Sequence, residues 1–286
     1  MLLNRRILTL PLLALLLLAP PLTYAADPLV IGIFPRRNAA ATIKYFTPLA
    51  NHLEKKLHRK VILKTTRDFS SFWQGVKNQR YDIVHFNQYH YVQSKKQFNY
   101  EVILKNEEFG KQTIAGAIVV RKDSNINTLA DLKGKRIMFG GGPKAMVAYV
   151  ATTYMLRKAG LKQGDYKEIF AKNPPNACMG TYLRQADAGG IGDFALNLPV
   201  IKKRLKTEQL KILATGEQIP HILWAVKENM PITSKNKIQS ILANLHTFKQ
   251  GKDILKQAKL TNLVIANDNE FGRVRTMIEF VTGKSF

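Results

Sequence analysis

The chain has 286 residues, 45% of them hydrophobic, and its 44 Lys and Arg against 20 Asp and Glu give a formal net charge of +24. This length and apolar content suit two domains with real cores. The only cysteine, Cys178, excludes an intrachain disulfide, so the fold must rest on packing. A positive field of this size attracts anions, and without a nucleic-acid-binding motif we expect a small anionic solute or anionic lipid rather than nucleic acid. The alternative is a general excess of solvated lysines.

Residues 1–25 are predicted to be a secretory signal peptide. Arg5 and Arg6 precede a leucine-rich run, and Ala25 ends a small-residue cleavage signature. The alternative is a membrane anchor, but prolines interrupt the run, and a spanning helix needs about 20 apolar residues. We therefore expect export to the periplasm, with a mature chain that begins near Ala26.

Strands and helices alternate in the predicted structure of the first part of the chain. Apolar, β-branched runs predict strands at 29–34, 61–66, 81–86 and 101–105. Helical spacing predicts helices at 40–57, 88–96 and 69–78, the last with Asp68 as its N-cap.

A second set of elements follows from residue 115 onward. Strands are predicted at 115–121, 136–139, 166–170, 186–193 and 210–214, and helices at 129–132, 144–159 and 176–184. The strand predicted at 221–227 returns to the first set, and a late amphipathic helix is predicted at 234–250.

This alternation predicts an α/β fold with two mostly parallel sheets, each covered by helices on both faces. We expect one lobe from residues 26–114 and 219–286 and a second from 115–218. Crossovers near 112–115 and 217–221 would join them and leave a cleft between. Ligands of open α/β sheets sit beyond the carboxyl ends of the strands, which here border that cleft.

A glycine-rich segment, Gly140–Gly142, stands between a predicted strand and a predicted helix. Glycines permit close backbone approach, and N–H groups at the start of a helix bind anions. Gly141, Gly142 and Ala145 are therefore predicted ligand contacts, with the Lys144 ammonium as counter-charge. The alternative is an ordinary strand-to-helix turn with an exposed lysine.

Polar side chains also follow the strand at 81–86. His85, Asn87, Gln88 and Tyr89 supply donors and acceptors at its carboxyl end, where a binding loop belongs. His85 is alternatively a core group. A metal site at His85 and His90 is a further alternative, although no carboxylate or cysteine lies nearby in sequence to complete it.

Two more charged residues are candidates for the cleft. Arg36 follows the first strand, and its planar guanidinium suits oxyanions, although it or its neighbour Arg37 would be solvated. Asp193 ends a strand of the second set and would accept from a protonated solute oxygen or an ammonium group. Its alternative role is the N-cap of a helix over 194–200.

Four stretches of the chain carry recognisable motifs: Tyr81–Val92, Ile114–Gly142, Ala186–Asp193 and Lys211–Pro231. Within them are Val-Arg-Lys-Asp-Ser at Val120–Ser124, Leu-Ala-Asp-Leu-Lys-Gly-Lys at Leu129–Lys135 and Asp-Ala-Gly at Asp187–Gly189. In these stretches, and over nearly the whole chain after residue 25, the sequence resembles the phosphonate-binding periplasmic components of ABC importers. The resemblance implies a type II periplasmic binding protein that delivers a small oxyanion to a membrane permease and performs no chemistry.

Three positions depart from that family's pattern. A Ser-Thr-Ser run that donates hydroxyls to phosphoryl oxygens is replaced here by Lys144-Ala145-Met146. A His-Asp pair on the next helix is replaced by Pro174-Pro175-Asn176, and a Gly-Pro turn by Asn87-Gln88. Among phosphorus oxyanions, these departures place phosphonate behind phosphate and phosphite.

The sequence therefore predicts the solute-binding component of an ABC importer, acting as a monomer without a cofactor on phosphate, phosphite or a phosphonate. One alternative is a sensor that signals to a membrane histidine kinase. Another is a non-phosphorus solute, either organic or an arsenite-like species that Cys178 would capture. An enzyme is the least supported alternative, because no catalytic triad or metal-ligand spacing is recognisable.

Overall fold

The computed structural model describes residues 27–286, so the predicted signal peptide lies outside the described residues. A six-stranded sheet organises the first lobe, in the order β11-β4-β10-β3-β1-β2. Its strands are β1 (Leu29–Ile33), β2 (Val61–Lys64), β3 (Ile83–Phe86), β4 (Tyr100–Glu107), β10 (Leu223–Lys227) and β11 (Asn262–Ile265).

A five-stranded sheet organises the second lobe, in the order β7-β6-β8-β5-β9. Its strands are β5 (Thr113–Arg121), β6 (Arg136–Gly140), β7 (Lys167–Ala171), β8 (Ala188–Gly192) and β9 (Leu210–Pro220). The two sheets share no strand, so the predicted two-lobed α/β architecture is confirmed.

Both sheets are mixed rather than mostly parallel. β1 pairs in parallel with β2 and β3, and β6 pairs in parallel with β7 and β8. The other pairings, which involve β4, β5, β9, β10 and β11, are antiparallel. β5 and β9 carry the chain out of the first lobe and back again, so these two strands run in opposite directions where they pair.

Nine α-helices cover the sheets of the described chain. They are α1 (Ala39–Leu57), α2 (Phe69–Lys77), α3 (Gln88–Phe98), α4 (Thr152–Lys158), α5 (Pro174–Tyr182), α6 (Pro199–Lys202), α7 (Ile232–Ala243), α8 (Lys249–Ala258) and α9 (Gly272–Thr282). Short 3₁₀ turns occupy Ala130–Leu132, Ala195–Asn197, Thr207–Gln209, Asn244–Thr247 and Asp268–Phe271. The Asp68 carboxylate accepts from Ser71 N–H at 2.8 Å, which confirms the predicted cap of α2. Within the described residues, no helix combines the length and apolarity needed to cross a bilayer.

The helix predicted at 144–159 has a different form. It begins as a π-helix, Met146–Ala151, in which the N–H groups of Tyr149 and Val150 both donate to the Ala145 carbonyl, and becomes α-helical only at Thr152. The wider turn packs directly on β5, where a Cβ added to Gly116 would lie 2.8 Å from the Thr152 nitrogen. This close approach, which the sequence pattern does not register, explains the departure.

The helix predicted at 234–250 is two helices, α7 and α8, separated by the 3₁₀ turn. Gly251 lies so close to that turn that an added Cβ would approach the Leu245 carbonyl within 2.0 Å. The apolar residues keep helical spacing through the turn, so the sequence pattern does not indicate that the chain changes direction there. The structure also adds β11 and α9 beyond residue 250, where the sequence pattern had predicted no element.

The two crossovers run side by side as one antiparallel ribbon. Thr113 of β5 pairs with Pro220 of β9, and the His221 N–H donates to the Gln112 carbonyl at 3.0 Å. The loop after β3 packs against the end of this ribbon, where the Gln88 amide donates to the Pro220 carbonyl at 2.6 Å.

Candidate functional site

A group of polar side chains lies beside the paired crossovers, where the two lobes are joined. We call it the hinge cluster and define it as Arg36, His85, Asn106, Glu108, Asp193 and His221. Asp193 belongs to the second lobe, and the others come from strands and loops of the first lobe or from the return crossover.

An ion pair between Arg36 and Glu108 is central to the hinge cluster. Arg36 Nη1 lies 3.1 Å from Glu108 Oε1, and only 4% of Glu108 is exposed. Burial alone would raise the pKa of Glu108, but the Arg36 guanidinium outweighs it and lowers the pKa to about 2. Glu108 is therefore ionised, and it pairs with Arg36, the cation that we predicted would bind an anionic solute.

His85 is enclosed by aromatic rings from the residue after β1, from α1 and from β10. Its ring centroid lies 4.5 Å from that of Trp224 and 5.4 Å from those of Phe34 and Phe46. Nε2 lies 3.2 Å from the Asn106 amide, whereas the buried Nδ1 has no partner among the described residues. Burial holds the pKa of His85 well below its usual value, so the ring is neutral. These surroundings favour the alternative interpretation of His85, that it is a core residue rather than a ligand contact.

His221, which is fully buried on the return crossover, carries a donor without a partner. Its Nδ1 accepts from the Ile222 N–H at 2.8 Å, so in the neutral ring the proton is on Nε2, which has no partner in the described chain. Burial lowers the pKa of His221 to about 4, against the opposing influence of the Glu108 carboxylate. The Phe194 ring stacks on the imidazole, with centroids 5.7 Å apart.

Asp193 supplies a matching acceptor from the second lobe. Its Oδ2 accepts from the Gln218 amide at 3.0 Å, while the buried Oδ1 has no partner among residues 27–286. It is not a helix cap, because the 3₁₀ turn that follows starts after Phe194 and has no side-chain cap. The helix predicted over 194–200 is likewise replaced by that turn and by the short α6.

An aromatic ring reaches across the outer side of the hinge cluster. Phe109 lies at the tip of the turn between β4 and β5, with φ of +54°, and its ring centroid is 5.3 Å from that of Phe194. A positive φ is unusual for a large side chain and marks local strain. The turn that places Glu108 beneath Arg36 therefore also places Phe109 on the second lobe.

The loop after β3 contributes more to lobe contact than to an open binding surface. Asn87 caps α3 by accepting from the His90 N–H at 2.9 Å, and its amide donates to the Lys144 carbonyl at 3.2 Å. Gln88 is fully buried, and its Oε1 has no partner in the described chain. Tyr89 is also buried and packs edge-on against Phe286.

The glycine-rich segment offers fewer donors than predicted. The N–H groups of Gly141 and Ala145 already donate to the carbonyls of Phe139 and Gly142, at 2.9 and 2.8 Å. Gly141 has φ of +139°, a conformation that favours glycine, whereas the space around a Cβ on Gly142 is open. No acceptor is assigned to the N–H groups of Gly142 and Lys144 within residues 27–286, so these two remain for a ligand.

Lys144 lies at the outer rim and does not contact the hinge cluster. Its ammonium sits 5.7 Å from the centre of the Trp73 ring, on α2 of the first lobe. The pKa of Lys144 is lowered by partial burial and by the charges of Lys284 and Lys77. The structure thus separates Lys144 from Arg36, two cations that the sequence analysis assigned to one site.

Three members of the hinge cluster were not predicted: Asn106, Glu108 and His221. Glu108 and His221 stand next to the predicted crossovers, and proximity to a hinge was the available signal for them. Asn106 lies on β4, and its place depends on the sheet register that brings it beside His85, with its Oδ1 accepting from the Trp224 indole at 3.0 Å.

The structure bears on two further alternatives from the sequence analysis: a metal site, and capture of an arsenite-like solute by Cys178. Among the described residues, no set of three or more His, Cys, Asp or Glu side chains is arranged to hold a metal ion. Cys178 is fully buried in the second lobe, and burial raises the pKa of its thiol to about 12, which keeps it protonated. A protonated, inaccessible thiol does not favour capture of arsenite.

The two separate sheets, joined by the paired crossovers, define a two-lobed protein with the type II periplasmic binding protein fold. The family model described as "ABC transporter, phosphonate, periplasmic substrate-binding protein" matches residues 31–271. The chain belongs to this family, and it is the periplasmic solute-binding component of an ABC importer.

Individual relatives agree with this assignment. The phosphonates-binding periplasmic protein of Escherichia coli is 24% identical over 242 residues, covering 82% of this chain and 71% of that protein. The phosphate-import protein PhnD of Mycolicibacterium smegmatis is 20% identical, covering 78% and 74%. The structure of PhnD1 from Prochlorococcus marinus in complex with methylphosphonate has a TM-score of 0.78 at 18% identity, covering 90% of this chain and 99% of that one.

Proposed function

We propose that this protein captures a small phosphorus oxyanion, a phosphonate, phosphate or phosphite, between its two lobes and presents it to a membrane permease. Family membership supports this class of solute, and the methylphosphonate complex of a relative with the same fold supports phosphonate despite the missing hydroxyl run. We therefore no longer rank phosphonate below the other two.

The observation that carries the proposal is a set of buried polar side-chain atoms that lack partners in the described chain. Gln88 Oε1 and His221 Nε2 belong to the first lobe and the return crossover, and Asp193 Oδ1 belongs to the second lobe. An unsatisfied buried polar group costs about 1–3 kcal/mol, so a bound solute that satisfies these atoms gains affinity. Among the described residues, the hinge cluster is thus the best place for a polar solute.

The mixture of donors and acceptors constrains the protonation state of that solute. The Arg36 guanidinium and the His221 Nε2–H donate, whereas Asp193 Oδ1 only accepts when ionised. A carboxylate accepts from a solute O–H group but repels a bare oxyanion. We infer that the protein binds an oxyanion that retains one proton, as phosphate and phosphonates do near neutral pH, and rejects sulfate, which does not.

Binding would couple to closure about the paired crossovers. In this proposal the lobes, divided as 26–114 with 219–286 and 115–218, close on the solute and bury its charge against fixed donors. Contacts such as the Asn87 amide on the Lys144 carbonyl form only when the lobes meet. The permease would recognise this closed shape. We further propose that the protein acts as a periplasmic monomer after cleavage near Ala26.

Isothermal titration calorimetry of the purified protein tests the proposal. Methylphosphonate, phosphate and phosphite are titrated at pH 7, with sulfate as the control anion of similar shape. Tight binding of at least one phosphorus oxyanion and rejection of sulfate would support the proposal. Binding of none of them, with a response to an organic solute, would overturn it.

Asp193→Asn is the matched variant, since an amide keeps the size and removes the charge. We expect it to weaken phosphorus oxyanion binding and to narrow the preference over sulfate. An unchanged preference would remove Asp193 from the site. Genes for a permease and an ATPase beside this one, rather than a kinase gene, would further support import over sensing.

A further inference from the structure

We propose that the last helix, α9, latches the two lobes together in the closed form. Three residues make the latch: Arg273 of α9, and Tyr154 and Arg157 of α4 in the second lobe. They are positioning residues for solute capture, because each acts through contacts of α9 and not on the solute. The inference rests on the proposed function only in that closure retains the solute, and it does not depend on which solute binds.

α9 is anchored in the first lobe. The 3₁₀ turn that leads into it places Asp268 beside α3, where the carboxylate accepts from the Tyr91 hydroxyl at 2.6 Å and from Arg275 Nη2 at 2.7 Å. The Phe271 ring packs edge-on against Tyr91, with centroids 4.8 Å apart. These contacts join residues of one lobe, so a movement of the second lobe leaves them intact.

The start of α9 also contacts the second lobe. Arg273 forms an ion pair with Glu217 on β9, and its guanidinium carbon lies 5.4 Å from the centre of the Tyr154 ring on α4. A guanidinium over an aromatic face is attracted by the quadrupole of the ring. Arg273 is therefore held between a carboxylate and a ring that both belong to the opposite lobe.

The end of α9 is capped by the second lobe. Arg157, one turn after Tyr154 on α4, donates to the carbonyls of Val281 and Phe280 at 2.9 and 3.3 Å. Carbonyls in the last turn of a helix lack partners within it, and the helix dipole favours a cation there. The Phe280 ring also packs edge-on against Tyr154, with centroids 5.1 Å apart. Both ends of α9 thus depend on the same short stretch of α4.

The buried side of α9 joins the two lobes as well. Its buried apolar residues belong to one hydrophobic cluster with Tyr91 of α3 and with Tyr154 and Leu156 of α4. α9 is therefore a third connection between the lobes, beside the two strands of the ribbon. Unlike those strands, it has no covalent link to the second lobe, so its contacts there can separate.

These contacts link closure to solute affinity. They extend along most of α9, about 12 Å from Arg273 to Val281. Opening about the ribbon carries α4 away from the anchored α9 and breaks the latch. A solute held between the lobes binds the closed form, and its apparent affinity falls with the fraction of the protein that is closed. The latch therefore raises affinity without contacting the solute.

Two arginines of α9 provide a matched pair of variants. Arg273 pairs with Glu217 of the second lobe, whereas Arg275 pairs with Asp268 of the first. Arg273→Gln and Arg275→Gln remove the same charge from the same helix, but only Arg273→Gln breaks a contact between lobes. Small-angle X-ray scattering of the ligand-free protein measures opening, and calorimetry with methylphosphonate at pH 7 measures affinity.

We expect Arg273→Gln to increase the radius of gyration and to weaken methylphosphonate binding about two- to fivefold, the effect of losing a partly exposed ion pair. Adding Arg157→Gln should bring the loss to about tenfold. Arg157→Lys in its place keeps a donor for the α9 carbonyls and should restore most of that second loss. Arg275→Gln should change affinity by less than about 1.5-fold, although it lowers thermal stability.

Equal effects of Arg273→Gln and Arg275→Gln would overturn the latch. An unchanged radius of gyration and affinity in the variant that combines Arg273→Gln with Arg157→Gln would overturn it as well. The scattering measurement needs no solute. Failure of methylphosphonate to bind the wild type would therefore count against the proposed function alone, while scattering still tests the latch.

Discussion

Glu108 forms an ion pair with the guanidinium of Arg36. The cation best placed to bind a solute at the hinge therefore already has a buried anionic partner. An incoming oxyanion must share or displace this carboxylate. Competition of this kind lowers affinity and favours solutes that can donate a proton to a carboxylate. Glu108 is therefore a determinant of which anions the hinge cluster accepts.

Glu108→Gln should strengthen the binding of anions at the hinge, because it removes the competing charge and keeps the shape. Calorimetry with methylphosphonate and with sulfate would show tighter binding of both. The same variant should lower the free energy of unfolding by about 1–3 kcal/mol, since a charged hydrogen bond in a buried setting is lost. Weaker binding would show instead that Glu108 itself contacts the solute.

Protonation of the buried histidines should make stability fall as pH decreases from 7. The folded-state pKa values of His90 and His221 are about 3 and about 4, both below the usual 6.5, so the unfolded chain binds more protons between these values. Their stabilising contribution is complete above pH 6.5 and is lost as pH falls toward the folded pKa. Each histidine contributes a slope of about 1.4 kcal/mol per pH unit.

Urea denaturation at several values between pH 7 and pH 5 measures this slope. His221→Gln removes one titrating group, so it should reduce this slope by about 1.4 kcal/mol per pH unit. This expectation does not depend on how the substitution changes the absolute stability. The wild-type protein, measured under the same conditions, serves as the control. Equal slopes in the variant and the wild type would mean that His221 is already accessible to protons in the folded state.

Phe109 should hold the lobes together, because its ring is the one that reaches Phe194 from the turn between β4 and β5. Phe109→Gly removes the ring and relieves the positive φ, whereas Phe109→Ala removes the ring and keeps the strain. Both should shift the ligand-free protein toward an open form in small-angle scattering. Only the alanine variant should be less stable than the wild type. If Phe109→Ala remains closed in scattering, the Phe109 ring does not contribute to holding the lobes together.

Asn87 has two roles that substitutions can separate. Asn87→Ser keeps a good cap for α3 but is too short to reach the Lys144 carbonyl, whereas Asn87→Ala loses both contacts. We expect alanine to cost about 1 kcal/mol more than serine in unfolding experiments. Both variants should reduce solute affinity to a similar extent, since both lose the contact between lobes. An undiminished affinity would show that this hydrogen bond does not contribute to closure.

Gly190 should be intolerant of a side chain, in contrast to Gly142. An added Cβ at Gly190 would lie 2.5 Å from the Phe139 ring and 2.6 Å from the Ala148 carbonyl. Gly190→Ala should therefore destabilise the second lobe by about 1–3 kcal/mol. Gly142→Ala meets open space and should fold normally, so its effect on calorimetric affinity reports the role of the glycine-rich segment in binding.

The sequence was a good guide to elements and to the fold, because periodicity and capping are local. The cap at Asp68 and most strands were predicted within a few residues. The π-helix at Met146–Ala151 was not, because its cause is the close approach of Gly116 on another strand. The corner between α7 and α8 likewise depends on packing at Gly251.

The candidate site was less predictable, because it depends on which side chains meet across the lobes. Arg36, Asp193 and the residues after β3 were predicted as solute contacts from their positions at strand ends. Their partners were not, since Glu108 and His221 gain significance only from the folded crossovers. The orientation of Lys144 toward Trp73 rather than Arg36 is also a tertiary result, because sequence spacing does not determine where a long, flexible side chain points.

The hydrogen-bonded ribbon formed by Thr113 with Pro220, and by Gln112 with His221, has a mechanical consequence. Two separate strands would let one half of the molecule rotate, slide and bend relative to the other. A ladder resists shear and torsion but flexes easily perpendicular to its own plane. Opening should therefore be a rotation about one axis, and the same surfaces of the two lobes should meet on each closure.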